Sequence, residues 1–228
     1  MGIKSWLAAG ALAVAALAGA SPAGATIYIG VQTSSFNGGA VTQVASGAST
    51  AAVSGASYGV FTVNNISGTV GVYPDLFNSN ALDQISSEGA GVLHVFITET
   101  GITNPAGVTS LVSSLTSNTL TNGWTVTEST FYDAANGIFT TVSPLANQLF
   151  TAIGTSVQSD AATLGPNAYS VTEEFTINAP GAGTANSTID VAAVPEPGTW
   201  LLMILGVFGV GATMRKQRDE RSLGAARA

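Results

Sequence analysis

Gly91-Val92-Leu93-His94-Val95-Phe96-Ile97-Thr98 is the stretch whose reading decides the fold. β-Branched and aromatic side chains dominate it, and Gly91 and Gly101 bound it. A short apolar run between turn residues predicts a central strand covered on both faces. Outward from it, residues 58–64, 124–132 and 169–177 alternate apolar with polar and predict strands that turn one face to a core. Residues 27–31 and 138–142 predict shorter strands. Turn signals separate them at Asn37-Gly38-Gly39, Asn104-Pro105, Asn122-Gly123, Asn136-Gly137 and Gly165-Pro166-Asn167. Only residues 80–87 and 143–158 suggest a helical turn or two. The expected class is all-β, a single antiparallel β-sandwich over residues 26–180, with a jelly roll as the near alternative. The glycines and alanines from Gly181 onward predict a flexible spacer over 181–194.

Charge is the oddest property of this stretch. Every Lys and Arg lies near a terminus, so residues 26–214 contain none, against eleven Asp and Glu. Nucleic-acid binding needs cations to neutralise phosphates and is excluded as a partner class; phosphorylated substrates are disfavoured for the same reason. The chain has no cysteine, which removes thiol catalysis, Cys-based zinc sites and iron–sulfur clusters. At 169 residues, the stretch 26–194 is long enough to bury a core without disulfides.

The two ends read as addresses. Lys4, an apolar run to Ala20 and the small-x-small triplet Ala23-Gly24-Ala25 predict an N-terminal signal helix over 1–25, cleaved after Ala25. At the other end, Pro195-Glu196-Pro197 precedes residues 198–214, which are 17 in number and uncharged, and then Arg215, Lys216 and Arg218. As a helix those 17 residues reach about 26 Å, near the lower limit for a transmembrane helix. Trp200 at the interface and the basic residues as a stop complete the pattern, with residues 219–228 as a cytoplasmic tail.

These features together resemble the PEP-CTERM family of exported bacterial proteins, on Pro195, Glu196, Pro197, Trp200, Met203-Ile204, Gly206, Gly209, Gly211 and Arg215-Lys216. The same C-terminal segment is also labelled an ice-binding protein C-terminal domain. The resemblance implies a Gram-negative bacterium that makes extracellular polysaccharide. It also implies a transient exosortase partner that acts near residues 195–218 and releases the protein from the inner membrane to the cell surface. Asp219 and Glu220 depart from the pattern by diluting the basic stop.

Nothing in the spacing announces catalysis or a cofactor. His94 is the one histidine, sits mid-strand and reads as structural. Glu173 and Glu174 are neighbours on an expected strand, so they point to opposite faces and cannot form a glycosidase pair. Asp75, Asn78, Asn80 and Asp83 follow Pro74 in an expected loop and offer oxygen ligands for Ca²⁺; their spacing is not that of an EF-hand, and no metal is expected there. The expectation is a non-catalytic exported surface or extracellular-matrix protein that associates with polysaccharide. The alternatives are a secreted glycan-binding or glycan-hydrolysing sandwich, Ca²⁺-assisted, and, more weakly, an ice-binding protein.

Overall fold

A computed structural model describes residues 24–194, 204–209 and 215; at 78–81, 84 and 108 it describes the backbone alone. Among these residues twelve strands form: β1 (Thr26–Gln32), β2 (Thr42–Gly47), β3 (Thr50–Tyr58), β4 (Phe61–Val70), β5 (Asp75–Ser87), β6 (Gly91–Ile102), β7 (Gly107–Leu120), β8 (Thr125–Asp133), β9 (Ser143–Phe150), β10 (Gly154–Leu164), β11 (Tyr169–Ala179) and β12 (Gly183–Val194). They build two six-stranded sheets, ordered β2-β1-β6-β11-β8-β9 and β10-β7-β12-β5-β4-β3. The class expected from sequence is the class found: an all-β sandwich.

The connectivity settles which sandwich. β5 pairs with β12, β6 with β11, β7 with β10 and β8 with β9, every pair antiparallel. One long hairpin ribbon, folded across itself so that its successive pairs alternate between sheets, is a jelly roll. The meander β3-β4-β5 widens the second sheet, and the hairpin β1-β2 widens the first.

β6 holds the centre that its sequence predicts. Leu93, Val95 and Ile97 face the core at zero exposure, flanked by β1 and β11. Phe96 and Thr98 on the other face are also buried. Their cover is the connection from β8 to β9: the Phe139 backbone N–H donates to the Thr98 hydroxyl at 3.1 Å, and the Phe139 ring lies 6.1 Å from that of Phe96. Gly30 makes room for it, because a Cβ there would meet the ring at 2.8 Å. Residues 138–142, expected as a strand, are this covering loop. Asp133 anchors it, accepting the N–H groups of Ala135 and Gly137 at 2.8 and 3.1 Å.

Other expectations need correction. Residues 58–64 straddle a turn: β3 ends at Tyr58 and β4 starts at Phe61, with Gly59 at φ 63° between them. The helical turns expected at 80–87 and 143–158 are strand in β5, β9 and β10. The spacer expected at 181–194 is β12, a central strand of the second sheet with Ala185, Ser187, Ile189, Val191 and Ala193 turned inward and buried. Its glycine serves packing: a Cβ on Gly183 would meet the Trp124 indole nitrogen at 2.7 Å, and Trp124 is only 1% exposed. The sandwich therefore extends from the β1 start to Val194.

One side of the sandwich is closed by a side chain. The edge strand β9 presents its Asn147 backbone outward, and the Gln158 amide of β10 meets both groups. Asn147 N–H donates to Gln158 Oε1 at 3.2 Å, and Gln158 Nε2 donates to the Asn147 carbonyl at 2.8 Å. An amide on both bonding groups of an edge residue blocks what a further strand would use.

Residues 194–228 form a second compact unit. Within it, 204–209 are helical and expose Ile204, Leu205, Val207 and Phe208. Among the described residues no helix is long and apolar enough to cross a membrane. The expected span at 198–214 is described only at 204–209. The signal helix before Gly24, Ala23, the motif residues Pro195, Glu196, Pro197 and Trp200, Lys216, Arg218 and the tail 219–228 lie outside the described residues.

Removing residues 183–194 discriminates strand from spacer. The deletion should abolish cooperative thermal unfolding measured by circular dichroism, whereas a dispensable linker would leave the melting curve intact.

Candidate functional site

Three strands of the first sheet bring Gln32, His94 and Thr176 into one row on its outer face. His94 Nδ1 lies 2.9 Å from Glu174 Oε1 and 3.0 Å from the Thr176 hydroxyl, which itself donates to Glu174 Oε1 at 3.2 Å. The His94 and Phe96 rings stack at 6.3 Å. His94 also borders a cleft of about 470 Å³ lined by Gln32, Thr33, Ser34, Gly39, Gly91 and Val92. Gln32 is fixed there by donating Nε2 to the Gly39 carbonyl at 2.7 Å.

A nucleophile relay needs the carboxylate on one imidazole nitrogen and the hydroxyl on the other. Here Glu174 and Thr176 share Nδ1. The arrangement orients the ring and leaves Nε2 for a ligand, which is the geometry of a binding group. The cleft offers hydroxyl, amide and imidazole groups with no Lys or Arg, so it suits an uncharged polar ligand.

The inner face of the same sheet carries a second cluster. Glu99 on β6, Glu173 on β11 and Glu128 on β8 all point between the sheets, at 1%, 0% and 0% exposure. Glu173 lies opposite Ile97 and Thr130, Glu99 opposite Val171, and Glu128 opposite Phe175, so the three step diagonally across adjacent strands. Glu174, next along β11, sits on the outer face with His94, as alternation requires. Burial pushes the Glu99 carboxyl up to about 8, only partly offset by the Gly71 N–H that donates to Oε2 at 3.4 Å. Burial likewise raises Glu128 to about 7; the Ser187 hydroxyl and the Thr116 backbone ease it, though neither carboxylate oxygen has a partner in hydrogen-bond geometry. These carboxyls are the ones the fold gathers, and they are inaccessible to any polysaccharide.

The second sheet has a polar outer face. Asn118 Nδ2 donates to Asn186 Oδ1 at 3.1 Å, and Asn186 Nδ2 donates to Asp83 Oδ1 at 2.9 Å. Beside this ladder Thr184, Ser86, Thr62 and Ser57 stand in register across four strands. Thr62, Ser86 and Thr184 line a shallow groove of about 320 Å³.

The candidate oxygen ligands after Pro74 are strung along a strand. Asp75, Asn78, Asn80 and Asp83 lie along β5 rather than in a loop, and an extended strand spreads eight residues over roughly 26 Å. One ion cannot span that distance. No group of three or more His, Cys, Asp and Glu side chains suited to a metal occurs among the described residues.

Fold and clusters define a jelly roll without Lys or Arg, with a polar outer face on the second sheet and a partly acidic interior. Residues 193–216 match the PEP-CTERM protein-sorting motif, so the chain carries the signal of exported proteins sorted by an exosortase. No curated protein matches the chain. Among solved structures, the enzymatically active domain of Bacteriophage CBA120 tailspike protein 4 is 15% identical, with a TM-score of 0.33 over 59% of this chain and 19% of its own. The structure of infectious bursal disease virus, Gx strain, is 11% identical, with a TM-score of 0.26 over 74% of this chain and 54% of its own. The chain thus covers less than a fifth of the first and about half of the second. Neither likeness carries an argument about fold or activity.

Glu128 and Glu99 both shape the pH response, and Glu99 carries it to the higher pH. Folded, it keeps a proton between its ordinary 4.5 and about 8 that the unfolded chain gives up, so its stabilising effect is complete below 4.5 and is lost as pH rises through about 8. The melting temperature should fall between pH 5 and pH 8.5. Glu99→Gln should flatten that slope and melt above the parent at pH 8, read by calorimetry; an unchanged slope would remove Glu99 as its source.

Proposed function

We propose that the chain is a non-catalytic surface or extracellular-matrix protein. In this reading a signal peptide ending at Ala25 directs export, and a helix over 198–214 holds the protein in the inner membrane. Arg215, Lys216 and Arg218 keep its C-terminus cytoplasmic. Pro195, Glu196, Pro197 and Trp200 present the segment to the exosortase, which releases the sandwich to the cell surface. The observation that carries the proposal is the sorting motif at 193–216. The non-catalytic part is supported by His94, whose two polar neighbours share one nitrogen. Association with polysaccharide is supported by the polar outer face of the second sheet and by the absence of Lys and Arg between residues 26 and 214, which favours uncharged glycans over anionic ones.

The cleft beside His94 favours a second reading, in which the domain binds a specific glycan there. A glycan array separates the two, because a single strongly preferred oligosaccharide would make binding the primary role.

Deleting residues 195–218 tests the sorting reading in the native host. The truncated protein should move from the cell envelope to the medium, and the intact protein recovered from the surface should end near Pro197 by mass spectrometry. Unchanged localisation of the deletion variant would sink the proposal.

A further inference from the structure

The sandwich hands over to the sorting segment without a spacer. β12 ends at Val194, whereas the match to the sorting motif already begins at residue 193. Ala193 is 2% exposed, and its N–H donates to the Pro74 carbonyl at 2.7 Å, so the chain is held almost to the point where it leaves the sheet. Only residues 195–197 separate Val194 from the uncharged run 198–214. Fully extended, the chain from Val194 to Gly198 reaches at most about 14 Å. The headgroup layer on one side of a bilayer is itself about 5–8 Å deep.

Beside that exit stands an apolar turn. The connection from β4 to β5, residues 71–74, carries Val72 and Tyr73 at 67% and 45% exposure. Its backbone is tied at three points. The Asp75 N–H donates to the Val72 carbonyl at 3.0 Å, the Gly71 N–H donates to Glu99 Oε2 at 3.4 Å, and Pro74 accepts from Ala193. The turn is therefore fixed while its two large side chains face outward. Asp75 lies opposite Ala192, two residues past Asp190, so carboxyl groups accompany this end of the sandwich. With no Lys or Arg between residues 26 and 214, attraction to anionic headgroups has no source here. A tyrosine and a valine instead suit the boundary between uncharged headgroups and acyl chains.

We propose that, before release, the 71–74 turn rests on the outer surface of the inner membrane, with Val72 and Tyr73 among zwitterionic headgroups; this rests on the span over 198–214 proposed above. Two such side chains are too few to hold a free domain on a bilayer. The tether supplies the remainder, because a short link turns the encounter into an intramolecular one at high effective concentration. A single cut near Pro197 then ends both attachments, since the contact does not outlast the tether.

Fluorescence quenching by lipid tests this, and a chain without cysteine accepts a single label cleanly. The full chain carries Val72→Cys or, for comparison, Ile153→Cys, each with a polarity-sensitive fluorophore, in phosphatidylcholine vesicles with brominated acyl chains. Ile153 is 68% exposed in the turn between β9 and β10, at the end of the sandwich where β12 begins beside Trp124. Emission from position 72 should shift to the blue and be quenched, whereas emission from position 153 should match that of a label in water. Exchanging part of the lipid for phosphatidylglycerol should weaken the quenching, and stronger quenching would overturn the choice of zwitterionic lipid. A chain that floats with the vesicles, yet is quenched no more at 72 than at 153, would overturn the contact and leave the span standing. A chain that does not float with the vesicles would overturn both.

Discussion

The pairing of β12 with β5 and β7 is the contact on which the rest depends. β12 is the last strand the chain supplies, yet it lies in the middle of the second sheet. Until it is seated, β5 and β7 expose open edges, and Ala185, Ile189 and Val191 are missing from the core. Its partner β5 lies about a hundred residues earlier, so the contact is costly in chain entropy. Trp124 depends on it too, because the indole occupies the space that Gly183 leaves.

The second constraint is electrostatic. A jelly roll built without Lys or Arg between residues 26 and 214 has to settle every acidic group by hydrogen bonds, exposure or protonation. Asp133 takes the first route: burial alone would raise its carboxyl, but the N–H groups of Ala135 and Gly137 outweigh that and hold it below the ordinary value. Glu174 takes it with His94 and Thr176. Glu99 takes the protonated route, because burial disfavours its charged form and pushes the carboxyl up.

Where the periodicity was strong, the sequence was legible. β6, β8, β11 and β1 could be read to within a few residues, because bulky β-branched and aromatic side chains alternate or cluster there. β12 was missed because three of its five inward positions are small. Ala185, Ser187 and Ala193 carry no signal of burial, and Gly181 and Gly183 look like linker residues. The 138–142 loop misled for the opposite reason: Ile138, Phe139 and Val142 are apolar, but they cover a sheet instead of joining it. The His94–Glu174–Thr176 cluster joins residues 80 and 82 positions apart, a contact that strand order alone creates. The inward glutamates had one faint signal, since each keeps the phase of the apolar residues on its own strand.

Gln158 bears on how such units can gather. With the Asn147 backbone occupied by that amide, a strand added at the β9 edge would find the two bonding groups of that residue already taken. Contacts between copies made through the outer face of the second sheet would instead use the hydroxyl and amide groups that line it. Contacts of that kind are weak singly and reversible, so two units that met this way would part and meet again without either unfolding.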